Sequence, residues 1–175
     1  RPADSAETNV AWKMAMENDK TPTGLILSRQ GIKDLPAATS RYKEALAAEK
    51  GGYTILDVEN PDVVLIANGS EVATLIEGAK LLEERENIKA KVVSVPSEGI
   101  FRLQSKAYQE AIIPTNIPAF GLTAGLPVNL EGLVGANGKV FGLDHFGYSA
   151  PASVLDEKFG FTGGNVFKQV QELLK

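Results

Sequence analysis

The chain has 175 residues, 43% of them hydrophobic and 23% charged, which is enough for one full core plus a short piece of a neighbouring domain. A formal net charge of −4 argues against nucleic acid or an anionic membrane surface as partner, because both are held by clustered Lys and Arg. There is no cysteine and a single histidine, His145, which disfavours disulfides, thiol nucleophiles, Cys-based or His-rich metal sites and a Ser-His-Asp triad.

No apolar run approaches the roughly 20 residues that span a bilayer, so no membrane partner is expected and the cytoplasm is the default compartment. The chain opens on Arg1-Pro2 without an initiator Met, as expected of a fragment of a longer polypeptide. Asp4 followed three residues later by Glu7 reads as a capping box. A helix is expected from there to about Asn18, with Ala6, Val10, Trp12, Met14 and Met16 wrapping much of its surface, so that it should be well covered. Thr21-Pro22 ends it, and Gly24 to Ser28 reads as a short buried strand. Helix and strand look like the last step of a sheet whose other strands are missing, a helix–strand remnant of a second α/β domain.

Residues 31–51 are irregular and polar, with a possible helical turn over Arg41 to Glu49. A connector of that length reads as an interdomain linker. From residue 52 the pattern alternates. Tyr53 to Val58 is expected as an edge strand, and Val63-Val64-Leu65-Ile66 as a strand buried on both faces. A helix follows Ser70 with Val72, Leu75, Ile76, Ala79 and Leu82 on one stripe. Further strands are expected over Ala90 to Val95, Ala119 to Thr123 and Lys139 to Leu143. Further helices are expected over Ser105 to Ile112, Ala150 to Phe159 (capped by Ser149) and Asn165 to Leu174. Strands alternating with helices imply an α/β fold with a mostly parallel sheet covered on both faces.

Several residues invite a functional reading. Asn68-Gly69-Ser70-Glu71 joins a buried strand to a helix, where free amides attract anions. Ser70 as a plain N-cap explains the same residues, and the glycine fingerprint of dinucleotide folds is absent, which disfavours a nicotinamide-dependent dehydrogenase. Gly135-Ala136-Asn137-Gly138-Lys139 lacks phosphate-loop spacing and reads as a turn. His145 has no assignable partner and is expected to be structural or on the surface, although histidine titrates near neutrality. Glu83-Glu84-Arg85-Glu86 reads as a solvated helix face. Arg29 stands apart: it follows an expected strand directly, at the carboxyl edge where open α/β sheets bind ligands, and its planar fork suits phosphate. Pairing with a carboxylate across the linker is the equal alternative.

Arg1-Pro2-Ala3-Asp4-Ser5-Ala6-Glu7-Thr8 with Trp12 resembles the start of the last helix of the transketolase pyrimidine-binding domain. Leu27-Ser28-Arg29-Gln30 resembles that domain's final strand and exit. Asn60-Pro61-Asp62, Gly69-Ser70-Glu71-Val72, Val92 to Pro96, Phe146 to Pro151, Phe159 to Thr162 and Asn165-Val166 then follow in the family's order. The resemblance covers essentially the whole chain, and the ordered set is specific where each motif alone is weak.

The resemblance implies a remnant of the pyrimidine-binding domain over 1–30, a linker over 31–51 and a transketolase C-terminal domain over 52–175. It further implies a cytoplasmic, homodimeric parent enzyme of the pentose phosphate pathway, dependent on thiamine diphosphate and Mg (or Ca). That enzyme moves a two-carbon ketol unit from a ketose phosphate to an aldose phosphate. The family's activating glutamate, substrate histidines and diphosphate–metal site lie upstream of the matched segment, so the resemblance assigns no catalytic, cofactor or metal ligand here and implies a chain inactive alone. It gives Arg29 the role of the arginine that binds the substrate's sugar phosphate. Thr123 stands where the family usually has an acidic residue, Leu130 where it has an aromatic and His145 where a basic residue is common; these departures bear on subgroup. Alternatives are the same region of 1-deoxyxylulose-5-phosphate synthase or a 2-oxo acid dehydrogenase β subunit, and a non-catalytic module binding a small anion at Ser70 or supporting a dimer.

Overall fold

A computed structural model describes all 175 residues. Helix α1 runs Ser5–Glu17, and Asp4 caps it by accepting from the Glu7 amide at 2.9 Å. Glu7 reaches back to the Ala3 amide at 2.7 Å, so the reciprocal box forms one residue early. Ala6 and Val10 are buried, but Trp12 is 53% and Met16 79% exposed. The covering expected around the helix is therefore present on one flank only.

The expected strand over Gly24 to Ser28 does not form, and Ile26 and Leu27 are exposed. A strand needs a neighbour to take its main-chain groups, and none of the other strands lies beside these residues. Helix α2 (Arg41–Ala45) and a 3-10 turn (Leu46–Lys50) form where a helical turn was expected.

Next come β1 (Tyr53–Leu56), β2 (Val63–Ala67), α3 (Glu71–Glu86), β3 (Ala90–Ser94), α4 (Glu98–Arg102), α5 (Lys106–Ile112), β4 (Ala119–Leu122), α6 (Val128–Val134), β5 (Lys139–Phe141), α7 (Ala152–Phe159) and α8 (Gly163–Leu173). The five strands form one sheet in the order β1-β3-β2-β4-β5. β1 is antiparallel to β3 on the edge, and the remaining pairs are parallel. The sheet is mixed and mostly parallel, as the alternation of elements implied.

Both faces of β2 are buried, which accounts for its unbroken β-branched run. Val63, Leu65 and Ala67 pack with Val72, Leu75, Ala79 and Leu82 of α3 and with Val166 and Val170 of α8. Val64 and Ile66 pack on the other face with Val93, Phe101 and Ile113. α3 and α8 approach closely at Gly78, where an added Cβ would lie 2.4 Å from Val166 Cγ1.

Three local expectations need correction. Ser70 does not cap α3: it already has helical angles, and its hydroxyl donates to Glu71 Oε1 at 2.7 Å. α7 starts at Ala152 with Pro151 at the cap position, so Ser149 is not its cap. α4 and α6 were not anticipated, because both are short and hold glycines (Gly99, Gly132) that mask helical periodicity.

Candidate functional site

The chain reverses direction across the sheet at β2. The α3 connection leads to β3 on one side, while the connection from β3 passes back to β4 on the other. The crevice outside the carboxyl ends of β2 and β4 is thus the topological switch point, where ligands bind in open α/β sheets. Here it is a cleft of about 430 Å³ whose lining includes Arg1, Ile26, Asn68, Thr123, Ala124 and Asn129.

That crevice already holds a charged pair. Arg1 Nη1 donates to Asn68 Oδ1 at 2.8 Å, and Nη2 lies 2.8 Å from Glu71 Oε2. The same carboxylate oxygen accepts from the Ala124 amide at 3.3 Å, and Oε1 accepts from Ser70. Glu71 thus matches the Arg1 guanidinium, the Ser70 hydroxyl and the Ala124 amide, so the groups beside the turn that could hold an anion are already paired within the protein.

A second cluster joins three stretches of sequence. Asp4 and Glu7 come from α1, Arg41 from α2 and Tyr53 from β1. Arg41 Nε bonds Asp4 Oδ2 at 2.5 Å, and its Nη2 reaches Glu7 Oε1 at 3.3 Å and the Tyr53 hydroxyl at 2.7 Å. The Tyr53 hydroxyl donates in turn to Glu7 Oε1 at 2.7 Å. Asp4 also accepts from the Leu35 amide at 3.0 Å.

Burial lifts the Glu7 carboxyl above its ordinary range, and bonds from Tyr53 and Ala3 offset this in part. Burial and the neighbouring Glu7 raise the Tyr53 phenol. Burial disfavours the Arg41 cation, but its bonds to Asp4 and Tyr53 outweigh that and raise it further. Sequence reading missed this cluster because Arg41 stands 37 residues from Asp4. The capping pair alone hinted that two acids at the head of α1 had further work.

Arg29 lies exposed in a bend after Ser28 and pairs with no carboxylate, so the expected ion pair is not formed. It is not brought together with the crevice or with the buried cluster. Asn137-Gly138 is a turn, closed by the Gly138 amide on the Gly135 carbonyl at 3.2 Å. His145 is exposed and stands against aromatic rings, 5.4 Å from Phe159 and 6.4 Å from Tyr148 between centroids. Glu83, Glu84, Arg85 and Glu86 are all exposed. No three His, Cys, Asp or Glu side chains converge on one point, so these residues do not assemble a metal site.

Residues 51–162 match the family described as the transketolase-like TK C-terminal domain. The chain belongs to the transketolase family. It is 39% identical over 175 residues to a transketolase of Staphylococcus aureus, covering 99% of this chain and 26% of that protein. The fold superposes on transketolase from Leishmania mexicana with a TM-score of 0.88 at 34% identity, covering 99% of this chain and 24% of that one. It also superposes on a Pichia stipitis transketolase in complex with sedoheptulose-7-phosphate, with a TM-score of 0.86 at 33% identity over 99% of this chain and 24% of that one. The chain thus spans about a quarter of the length of the transketolases it matches. These likenesses do not favour the synthase, dehydrogenase or anion-binding alternatives, and no helix is long and apolar enough to cross a membrane.

Proposed function

We propose that this chain works as the C-terminal part of a transketolase, a transferase that moves a two-carbon ketol unit from a ketose phosphate to an aldose phosphate. The observation that carries the reading is the likeness of 99% of this chain to about a quarter of the length of transketolases, with residues 51–162 matching their C-terminal domain. Residues 1–30 are then the end of the pyrimidine-binding domain, 31–51 a linker and 52–175 the C-terminal domain. The bare, unladdered segment around Ile26 and Leu27 supports this division, since its main-chain groups await a sheet.

Thiamine diphosphate and Mg (or Ca) would serve the parent enzyme, a cytoplasmic homodimer in the pentose phosphate pathway. Bound there, the cofactor supplies carbanion stabilisation. The residues present do not fit it: no carboxylate cluster for the metal forms, and the polar groups of the crevice at β2 and β4 are engaged by the Arg1–Glu71 pair. This chain's own contribution is to hold and orient. Arg29, exposed and unpaired, is free to place its fork on the phosphate of a sugar substrate.

The test is an assay of residues 1–175 with ribose 5-phosphate, xylulose 5-phosphate, thiamine diphosphate and magnesium. No ketol transfer is expected; measurable turnover would overturn the assignment of the catalytic groups to other parts of the polypeptide.

A further inference from the structure

We propose that the switch-point crevice of the C-terminal domain is a docking socket whose occupant is Arg1, the head of the upstream arm that continues into α1, rather than a small-molecule site. The inference rests on the assignment of residues 1–30 to the upstream domain. An open α/β sheet offers its ligand edge here, and the ligand is a piece of the same polypeptide.

The contacts at Arg1 span three strand exits. Its main-chain nitrogen donates to the Pro96 carbonyl beyond β3 at 2.9 Å, and its carbonyl accepts from the Gly69 amide beyond β2 at 3.0 Å. Its guanidinium meets Asn68 and Glu71, and Glu71 ties the pair to Ala124 beyond β4. A cation beside the start of α3 faces the positive end of the helix dipole, which alone is unfavourable. Glu71, in the first turn and with its side chain 7% exposed, offsets both charges at once.

Gly69 makes the room. Its φ is +63°, and a Cβ there would stand 3.0 Å from Arg1 Nη2. The turn therefore needs glycine for its backbone and for the guanidinium it admits. Behind Arg1, Ala3 is buried in the main core beside Leu35, so the arm is seated by apolar contact as well. The remaining cleft is bordered by Ile26, which carries the same docking surface towards the unladdered segment. A free anion would have to displace Glu71 from both Arg1 and the Ala124 amide, and it would find the guanidinium already matched.

Hydrogen exchange on chain 1–175 tests this with Arg1→Ala, Glu71→Gln and the double variant. Each single variant is expected to speed exchange of the α1 amides from Asn9 to Met16 by about tenfold, the equivalent of one charge-assisted contact. The Val64 to Ile66 and Val92 to Val93 amides should hold, and the double variant should add little to either single one. Unchanged α1 exchange, or additive effects, would overturn the proposal. So would equal acceleration in the sheet, which would make the pair a global stabiliser and not a docking contact. Added millimolar inorganic phosphate should leave the Asn68, Ala124 and Gly125 amide resonances unmoved; a saturable shift would make the crevice a small-anion site instead. None of these outcomes depends on ketol transfer, so the transketolase reading stands or falls separately.

Discussion

Tyr53, the first residue of the edge strand, donates its hydroxyl hydrogen to Glu7 of helix α1 at 2.7 Å, inside a site where both residues are buried. The bond crosses from α1 to β1. Arg41 completes it from α2, so one buried cluster fastens three stretches of the chain.

Removing the cation should cost more than removing the phenol. Arg41→Ala leaves Asp4 and Glu7 buried without their counter-charge, and should lower unfolding free energy by about 3–5 kcal/mol. Tyr53→Phe loses one donor to a carboxylate and should cost about 1–3 kcal/mol. Urea melts of the two variants would show the order; the reverse order would mean the ion pair contributes less than its desolvation takes away.

The cluster also carries a pH signature. Burial raises the Glu7 pKa above its ordinary value of 4.5, so the folded chain binds that proton more tightly than the unfolded chain. Stability from Glu7 is then fully present below the ordinary value and declines as pH rises through the raised one. Glu7→Gln cannot ionise and should lack the decline. Its stability relative to wild type should therefore improve as pH rises above 4.5 in paired urea melts. A difference that stays flat across that range would show Glu7 titrating as it does in the unfolded chain.

Trp12 is the only tryptophan and is 53% exposed on the uncovered flank of α1. Its emission in chain 1–175 should be red-shifted and readily quenched by acrylamide. In a full-length transketolase carrying this segment, the upstream domain should cover that flank and shield it. Equal quenching in both would mean that the flank stays in water.

Arg29→Ala in such a full-length enzyme should raise the KM for phosphorylated sugars by about 10- to 100-fold with a smaller change in kcat, the loss of one charge-assisted contact of about 1.5–3 kcal/mol. Steady-state kinetics with a phosphorylated and an unphosphorylated ketose would separate the outcomes. A KM equal to wild type for both would remove Arg29 from phosphate recognition.

The parts of the fold visible in the sequence are those set by local chemistry. Val63 to Ile66 reads as a buried strand because β-branched residues without alternation fit a sheet covered twice. Asp4 reads as a cap because its side chain serves an amide three residues on. The failures come from contacts far along the chain. Ser70 reads as a cap until Glu71 takes its hydroxyl, and Glu71 is itself turned by Arg1. Gly24 to Ser28 reads as a strand by composition, yet strand formation is a property of pairs. The buried cluster was invisible because no local rule links an arginine in a polar linker to two acids at a helix head. Arg29 is legible as a chemical type, while no local rule fixes which groups surround it.

The reversed direction of β1 has an architectural consequence. Tyr53 pairs with Ser94, so the chain enters the domain at the same end where the parallel strands finish. Arg1, Gly51 and the start of β1 are gathered at that one rim of the sheet. The two rims show it in their left-handed residues. At the far rim, ahead of β2 and β3, Asn60 and Asn87 serve, with φ of 52° and 55°. At the joined rim the left-handed positions are Gly51 and Gly69, where a Cβ would meet the Phe101 amide nitrogen at 2.3 Å or the Arg1 guanidinium at 3.0 Å. At Gly51 and Gly69 crowding leaves space for glycine alone, whereas Asn60 and Asn87 stand exposed with room for a side chain.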